Sequence, residues 1–296
     1  MSWIRLTPLR IVGMVFVLAS AAHAQTRNDL TIQTADGARH AIVIPAGAGP
    51  HPTVLVLHGA LGTAAGTVRD SGFAEAAAKR GFTAVFPDGI DRQWHDGRAG
   101  GVSGPDDIGF IRALVARLIA DNLAAAGHIY IAGISNGGIM SFTMACKAGD
   151  LFSGVGTVIA NMPAGIEPCT IKPVPLVMIN GTADPIMPFA GGDVGLRHER
   201  GQVWGTLKTA DLFAHTDGCA GQKAKPLPDL DPSDGTTVTR IDWTGCRPGT
   251  SVTLYRIEGG GHAVAGRPPL SRRFLGPSNQ DIVGADVIMD VFAAKP

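Results

Sequence analysis

The chain has 296 residues, 45% of them hydrophobic and 17% charged, with 25 basic and 25 acidic side chains that leave no net charge. That balance, with no basic stripe interleaved with aromatics, excludes the electrostatic footprint of a nucleic-acid binder. Nine histidines and four cysteines show no H-x-x-x-H or C-x-x-C spacing, so neither a catalytic metal nor a redox dithiol is expected.

The first residues carry Arg5 and Arg10, an apolar run from Ile11 to Ala19 and a small-x-small site at Ala22-His23-Ala24. This order is that of a secretory signal peptide over residues 1–24, too short to span a bilayer. Its removal leaves 23 basic against 25 acidic side chains, on about 270 residues that suffice for one domain, 25–296. No contact with a membrane is expected after that cleavage. All four cysteines lie in the exported part, where oxidation is available. Three connectivities are open to them, and Cys146 with Cys169 and Cys219 with Cys246 is favoured because each pair staples a local excursion.

Residues 40–45 and 52–57 read as strands, the second almost wholly apolar and so covered on both faces. It runs into His58-Gly59-Ala60-Leu61, a turn-forming loop. Residues 71–80 read as a helix with Ser71 as its cap, and 82–86 as another buried strand. After a glycine-rich stretch, Asp106 and Asp107 open a helix whose apolar residues Ile108, Ile111, Leu114, Val115, Leu118 and Ile119 share one face; capping suits both aspartates. Strands follow at 128–132, 153–159, 174–180 and 252–257, with helices at 137–147, near 204–214 and at 281–293. Residues 186–250 are the least periodic and are expected to hold a long excursion around Cys219 and Cys246. Alternating buried strands and helices imply an α/β fold with a mostly parallel sheet covered by helices on both faces.

Between the strand at 128–132 and the helix at 137–147 stands the stretch IAGISNGGIM, in which Gly133-x-Ser135-x-Gly137 is a G-x-S-x-G turn. Such a turn exposes a serine hydroxyl at a strand-to-helix junction, where the helix start directs amides toward a developing oxyanion. A nucleophilic serine needs a base, and the base needs an acceptor that fixes its tautomer. The order expected on an α/β-hydrolase fold is serine, acid, histidine. Asp184 follows the strand at 174–180 and His262 follows the strand at 252–257 on a run of three glycines. Asp281, Asp286 and Asp290 lie beyond the histidine and break that order. Ser135 is therefore the expected nucleophile, His262 the general base and acid, and Asp184 the orienting carboxylate. The oxyanion hole is expected from the amides of Asn136 and of Ala60 or Leu61. His58, on the same first loop, is expected to support it.

These pieces together resemble the secreted esterases of the polyhydroxybutyrate-depolymerase-like and feruloyl-esterase-like group, within the α/β-hydrolase superfamily. The likeness is carried by VLHG at 56–59, FPDG at 86–89, Trp94 with DGR at 96–98, DDIGFIRALV at 106–115, GISNGG at 133–138, NGTADPIMPFAGG at 180–192 and GGGH at 259–262. The resemblance implies the same three catalytic residues, supports pairing Cys219 with Cys246, and implies that Trp94 borders the substrate cleft. One departure stands out: relatives continue from the histidine into Trp-Pro-Gly, where this chain has Ala263-Val264-Ala265-Gly266. The expected activity is hydrolysis of carboxylic esters without a cofactor, on hydroxyalkanoate oligomers or polyester, with feruloyl or acetyl esters of plant polysaccharide as the alternative. A secreted binding protein that keeps the fold without turnover is the reading from another class.

Overall fold

Apolar strands with no polar face can be buried only in the middle of a sheet, and that is where they lie. The computed structural model describes Met1 and residues 27–98, 104–167, 169–196 and 200–294; the expected signal peptide lies outside them. The chain opens with a hairpin of β1 (Asn28–Thr34) and β2 (Gly37–Ile44), then β3 (His51–Leu57), helices α1 (Ala64–Asp70) and α2 (Phe73–Lys79), and β4 (Thr83–Pro87). Next come α3 (Asp107–Ala120), β5 (Ala124–Ile134), α4 (Asn136–Lys147), β6 (Val155–Val158) and β7 (Leu176–Gly181). A two-stranded ribbon of β8 (Gly192–Asp193) and β9 (Gln202–Val203) precedes α5 (Thr206–Thr216). The chain then forms β10 (Gly221–Pro226), β11 (Thr237–Thr244), β12 (Val252–Glu258), α6 (Arg272–Leu275) and α7 (Gly284–Ala293).

Ten strands form one sheet in the order β1-β2-β4-β3-β5-β6-β7-β12-β11-β10. The six central strands, from β4 to β12, are parallel, and antiparallel pairs flank them at both ends. Alternation along β3 divides its side chains between two cores. Leu55 and Leu57 pack with α3, α4 and α5 on one face, and Val54 and Val56 with α1, α2 and α7 on the other. From β3 the chain crosses outward to β4 and returns to β5 on the opposite side, so the direction of winding reverses between β3 and β5. Loops at the carboxyl ends of strands on either side of such a reversal splay apart and leave a crevice.

Several sequence expectations need correction. Ser71 closes α1 rather than opening α2, whose cap is Gly72 in a left-handed conformation. Asp106 caps α3, accepting from the Gly109 amide at 2.8 Å, but Asp107 turns inward. Its carboxylate is buried against Arg39 at 2.6 Å and accepts from the His95 amide at 2.7 Å. The excursion around Cys219 and Cys246 is part of the sheet, since β10 and β11 extend it there. Both expected disulfides are present, Cys146 with Cys169 and Cys219 with Cys246.

Asp217, at the end of α5, is fully buried, and neither carboxylate oxygen has a close hydrogen-bond partner. Burial pushes its pKa up to about 7, against the pull of the Val174 backbone and the Arg247 charge. In the unfolded chain the group ionises near its ordinary value, so between about pH 4 and pH 7 the unfolded state holds fewer protons than the folded one. Stability from this group is therefore present at low pH and lost as pH rises through that window. Asp217→Asn is expected to raise stability at pH 8 on the order of 2 kcal/mol and to leave it nearly unchanged at pH 4. Urea denaturation at the two pH values checks this; an equal shift at both refutes it.

Candidate active site

Small residues at the β5–α4 junction answer to specific close approaches. A Cβ on Gly137 would lie 2.4 Å from the carbonyl oxygens of Leu57 and His58, and one on Gly133 would lie 2.1 Å from the Gly137 carbonyl. Glycine at 137 therefore lets the turn close against β3, and glycine at 133 lets it close onto the start of α4. Ser135 between them is held at φ 53°, a left-handed conformation that costs a non-glycine residue energy and projects its side chain off the end of β5.

Two further loops meet it. Beyond β7, Asp184 is locked by its own loop: Oδ1 accepts the amides of Ile186 and Met187, each at 2.8 Å. Its other oxygen, Oδ2, lies 2.7 Å from His262 Nδ1. Beyond β12, the glycine run brings His262 close in; a Cβ on Gly261 would lie 2.1 Å from the Leu275 carbonyl, and the His262 amide donates to that carbonyl at 2.6 Å. The imidazole then presents Nε2 2.9 Å from Ser135 Oγ. An acceptor at Nδ1 holds the proton there and leaves Nε2 as the acceptor facing the serine, the arrangement that lets an imidazole take the hydroxyl proton. The three side chains are thus joined across 127 and 78 residues of sequence.

The amides named for the oxyanion divide differently. Asn136 is the first residue of α4, whose opening N–H groups have no partner inside the helix. Leu61 N–H is already committed to the Arg92 carbonyl at 2.8 Å, which removes it from the expected pair. Ala60 N–H has no partner among the described residues. His58 is buried, and burial lowers its pKa below the ordinary histidine value. Its Nε2 accepts from the Gly89 amide at 2.9 Å and its Nδ1 lies 2.8 Å from the Gly59 carbonyl, so the neutral ring braces this loop.

Trp94 departs from expectation. Rather than bordering the cleft it is 3% exposed, with its indole Nε1 donating to the His58 carbonyl at 3.0 Å. Sequence reasoning also missed what lies beside it: the buried Asn136 side chain and Asp96, joined by the partly buried Arg98, form a polar cluster behind the serine turn. The signal was the dense run of Trp, His, Asp and Arg among glycines at 94–98, whose polar members need partners once buried. Among the described residues no group of three or more His, Cys, Asp or Glu side chains is set to hold a metal ion. No helix among them is long and apolar enough to cross a membrane.

A family model described as "Putative esterase" matches residues 33–224. The "Putative esterase NocK" of Nocardia uniformis subsp. tsuyamanensis is 27% identical over 81% of this chain and 73% of its own length. Feruloyl esterase B of Piromyces equi is 25% identical over 72% of the chain, and the poly(3-hydroxybutyrate) depolymerase of Ralstonia pickettii 30% over 58%. The chain spans 39% of the length of each of these two. Among solved structures, an acetyl xylan esterase from Aspergillus awamori superimposes with a TM-score of 0.56 at 16% identity, covering 84% of this chain and 96% of that one, which establishes the shared α/β-hydrolase fold.

Proposed function

Because the chain belongs to the esterase family and is a carboxylic ester hydrolase, we propose that Ser135, His262 and Asp184 are its catalytic triad and that it is exported to hydrolyse short hydroxyalkanoate esters. The observation that carries the triad is the histidine bridging serine and carboxylate at 2.9 and 2.7 Å. Ser135 Oγ attacks the ester carbonyl carbon while His262 Nε2 takes its proton. The tetrahedral oxyanion forms hydrogen bonds with the amides of Asn136 and Ala60. His262 then protonates the departing alcohol, and a water activated by the same nitrogen releases the acid from the acyl-serine. Residues 25–296 act as the catalytic domain. No step in this sequence calls on a cofactor.

Export to the periplasm or the medium is supported by two disulfides, which persist in oxidising compartments. Hydroxyalkanoate esters are favoured by the 30% identity to the depolymerase. A second reading, feruloyl or acetyl esters, is favoured by the match to feruloyl esterase B. Initial rates of the oxidised protein on soluble 3-hydroxybutyrate oligomers and on methyl ferulate and acetylated xylose separate the two. A preference of at least about tenfold, 1.4 kcal/mol in transition-state discrimination, for the oligomers is expected. The reverse preference assigns the second reading. Labelling by a fluorophosphonate that is absent in Ser135→Ala supports the nucleophile, and labelling that persists in the variant overturns it.

A further inference from the structure

One buried chain of hydrogen bonds connects the two amides assigned to the oxyanion. We propose that Trp94 and Asn136 are positioning residues that set the spacing between those amides, an inference that rests on the serine-esterase reading above. The Asn136 carboxamide is engaged in both directions with a single peptide segment. Its Oδ1 accepts from the Trp94 amide at 2.8 Å, and its Nδ2 donates to the Trp94 carbonyl at 2.9 Å and to Asp96 Oδ2 at 2.6 Å. Asp96 is held in turn by Arg98 at 2.8 Å, and its carbonyl accepts from Thr143 Oγ1, two turns along α4, at 2.5 Å. The first turn of α4 is thereby fixed to residues 94–96.

From Trp94 the chain of bonds continues to the other side of the site. The indole donates to the His58 carbonyl, and the two rings pack with centroids 5.0 Å apart. His58 bonds to Gly59 and Gly89, and Ala60 is the next residue of that loop. Every linking side chain is buried, so solvent cannot substitute for a lost partner. A tryptophan on a cleft wall needs exposed ring surface, which this one lacks; its polar edge is spent on tying one loop to another. Since an oxyanion donor is worth about 10²–10³ in rate and displacement by about 1 Å costs up to 10², loosening this link must be felt in turnover.

Trp94→Phe removes the indole N–H and keeps an aromatic ring and every backbone bond. On p-nitrophenyl acetate kcat is expected to fall about 10–100-fold with KM within about threefold. The affinity for butylboronic acid, whose tetrahedral adduct on the serine puts an oxygen in the same hole, is expected to fall in parallel. A purely structural role lowers the melting temperature alone; folded W94F with wild-type kcat and boronate affinity overturns the proposal for Trp94. Asn136→Asp sets a carboxylate against Asp96 where an amide donated, and Asp96→Asn in that background restores a donor–acceptor pair. N136D is expected to lose at least about 30-fold in kcat and N136D/D96N to regain about tenfold. Full activity of N136D, or a folded double variant without recovery, overturns the role of Asn136 and decides the matter if W94F does not fold. Ser135→Ala assayed alongside separates the failures: an active S135A removes the underlying reading, whereas an inactive S135A beside an unimpaired W94F removes only this inference.

Discussion

Ser135→Ala is expected to lower kcat/KM on any accepted ester by about 10⁴-fold or more, with little change in the melting temperature. In the proposed mechanism the hydroxyl is the atom that bonds the acyl carbon, and no other hydroxyl approaches His262 Nε2 among the described residues. Alanine keeps the backbone path that serine already follows at φ 53°, so the strain of the turn is unchanged and the glycine contacts around it persist. Stopped assays on p-nitrophenyl acetate with thermal unfolding of the same samples check both halves. A folded variant that retains more than about one part in a hundred of the rate removes Ser135 from the nucleophile's role.

Asp184→Asn is expected to cost about 10³–10⁴ in kcat while the protein folds normally. The loop decides the orientation of the new carboxamide. The amides of Ile186 and Met187 both demand an acceptor where Oδ1 now sits, so the asparagine must keep its oxygen there and turn its NH₂ toward His262 Nδ1. A donor at that position forces the imidazole proton onto Nε2, where it faces Ser135 and no longer accepts the hydroxyl proton. The loss should ease above neutral pH, as bulk hydroxide assists the serine. A D184N rate within about tenfold of wild type at pH 7 shows that the carboxylate does not set the tautomer.

The parallel part of the sheet was legible from sequence because burial on both faces leaves nearly unbroken apolar runs such as TVLVL at 53–57. That Ser135, Asp184 and His262 would meet was legible because each follows such a run in the order the fold allows. Strand β1 was not, since only Ile32 of its seven residues is buried and the period is lost among polar side chains. Strand β10, GQKAKP, buries nothing at all; it exists by pairing with β11 beside the Cys219–Cys246 bridge, and lysine and proline argue against it locally. Helix α1, seven residues with two buried, is too short to show a period. Arg39 gave no signal because its partner Asp107 lies 68 residues away and looks like an ordinary helix cap.

Both outermost strands of the ten-stranded sheet belong to antiparallel pairs, and neither is apolar. The apolar parallel strands, which would template aggregation if left open, are thereby sealed from neighbouring molecules. On one border Lys223 and Lys225 stand exposed before Pro226, which lacks the N–H a visiting strand would need. On the other, Asn28, Asp29, Thr31 and Gln33 face solvent. What makes these strands hard to read from sequence is also what keeps a large open sheet from growing by addition of another copy.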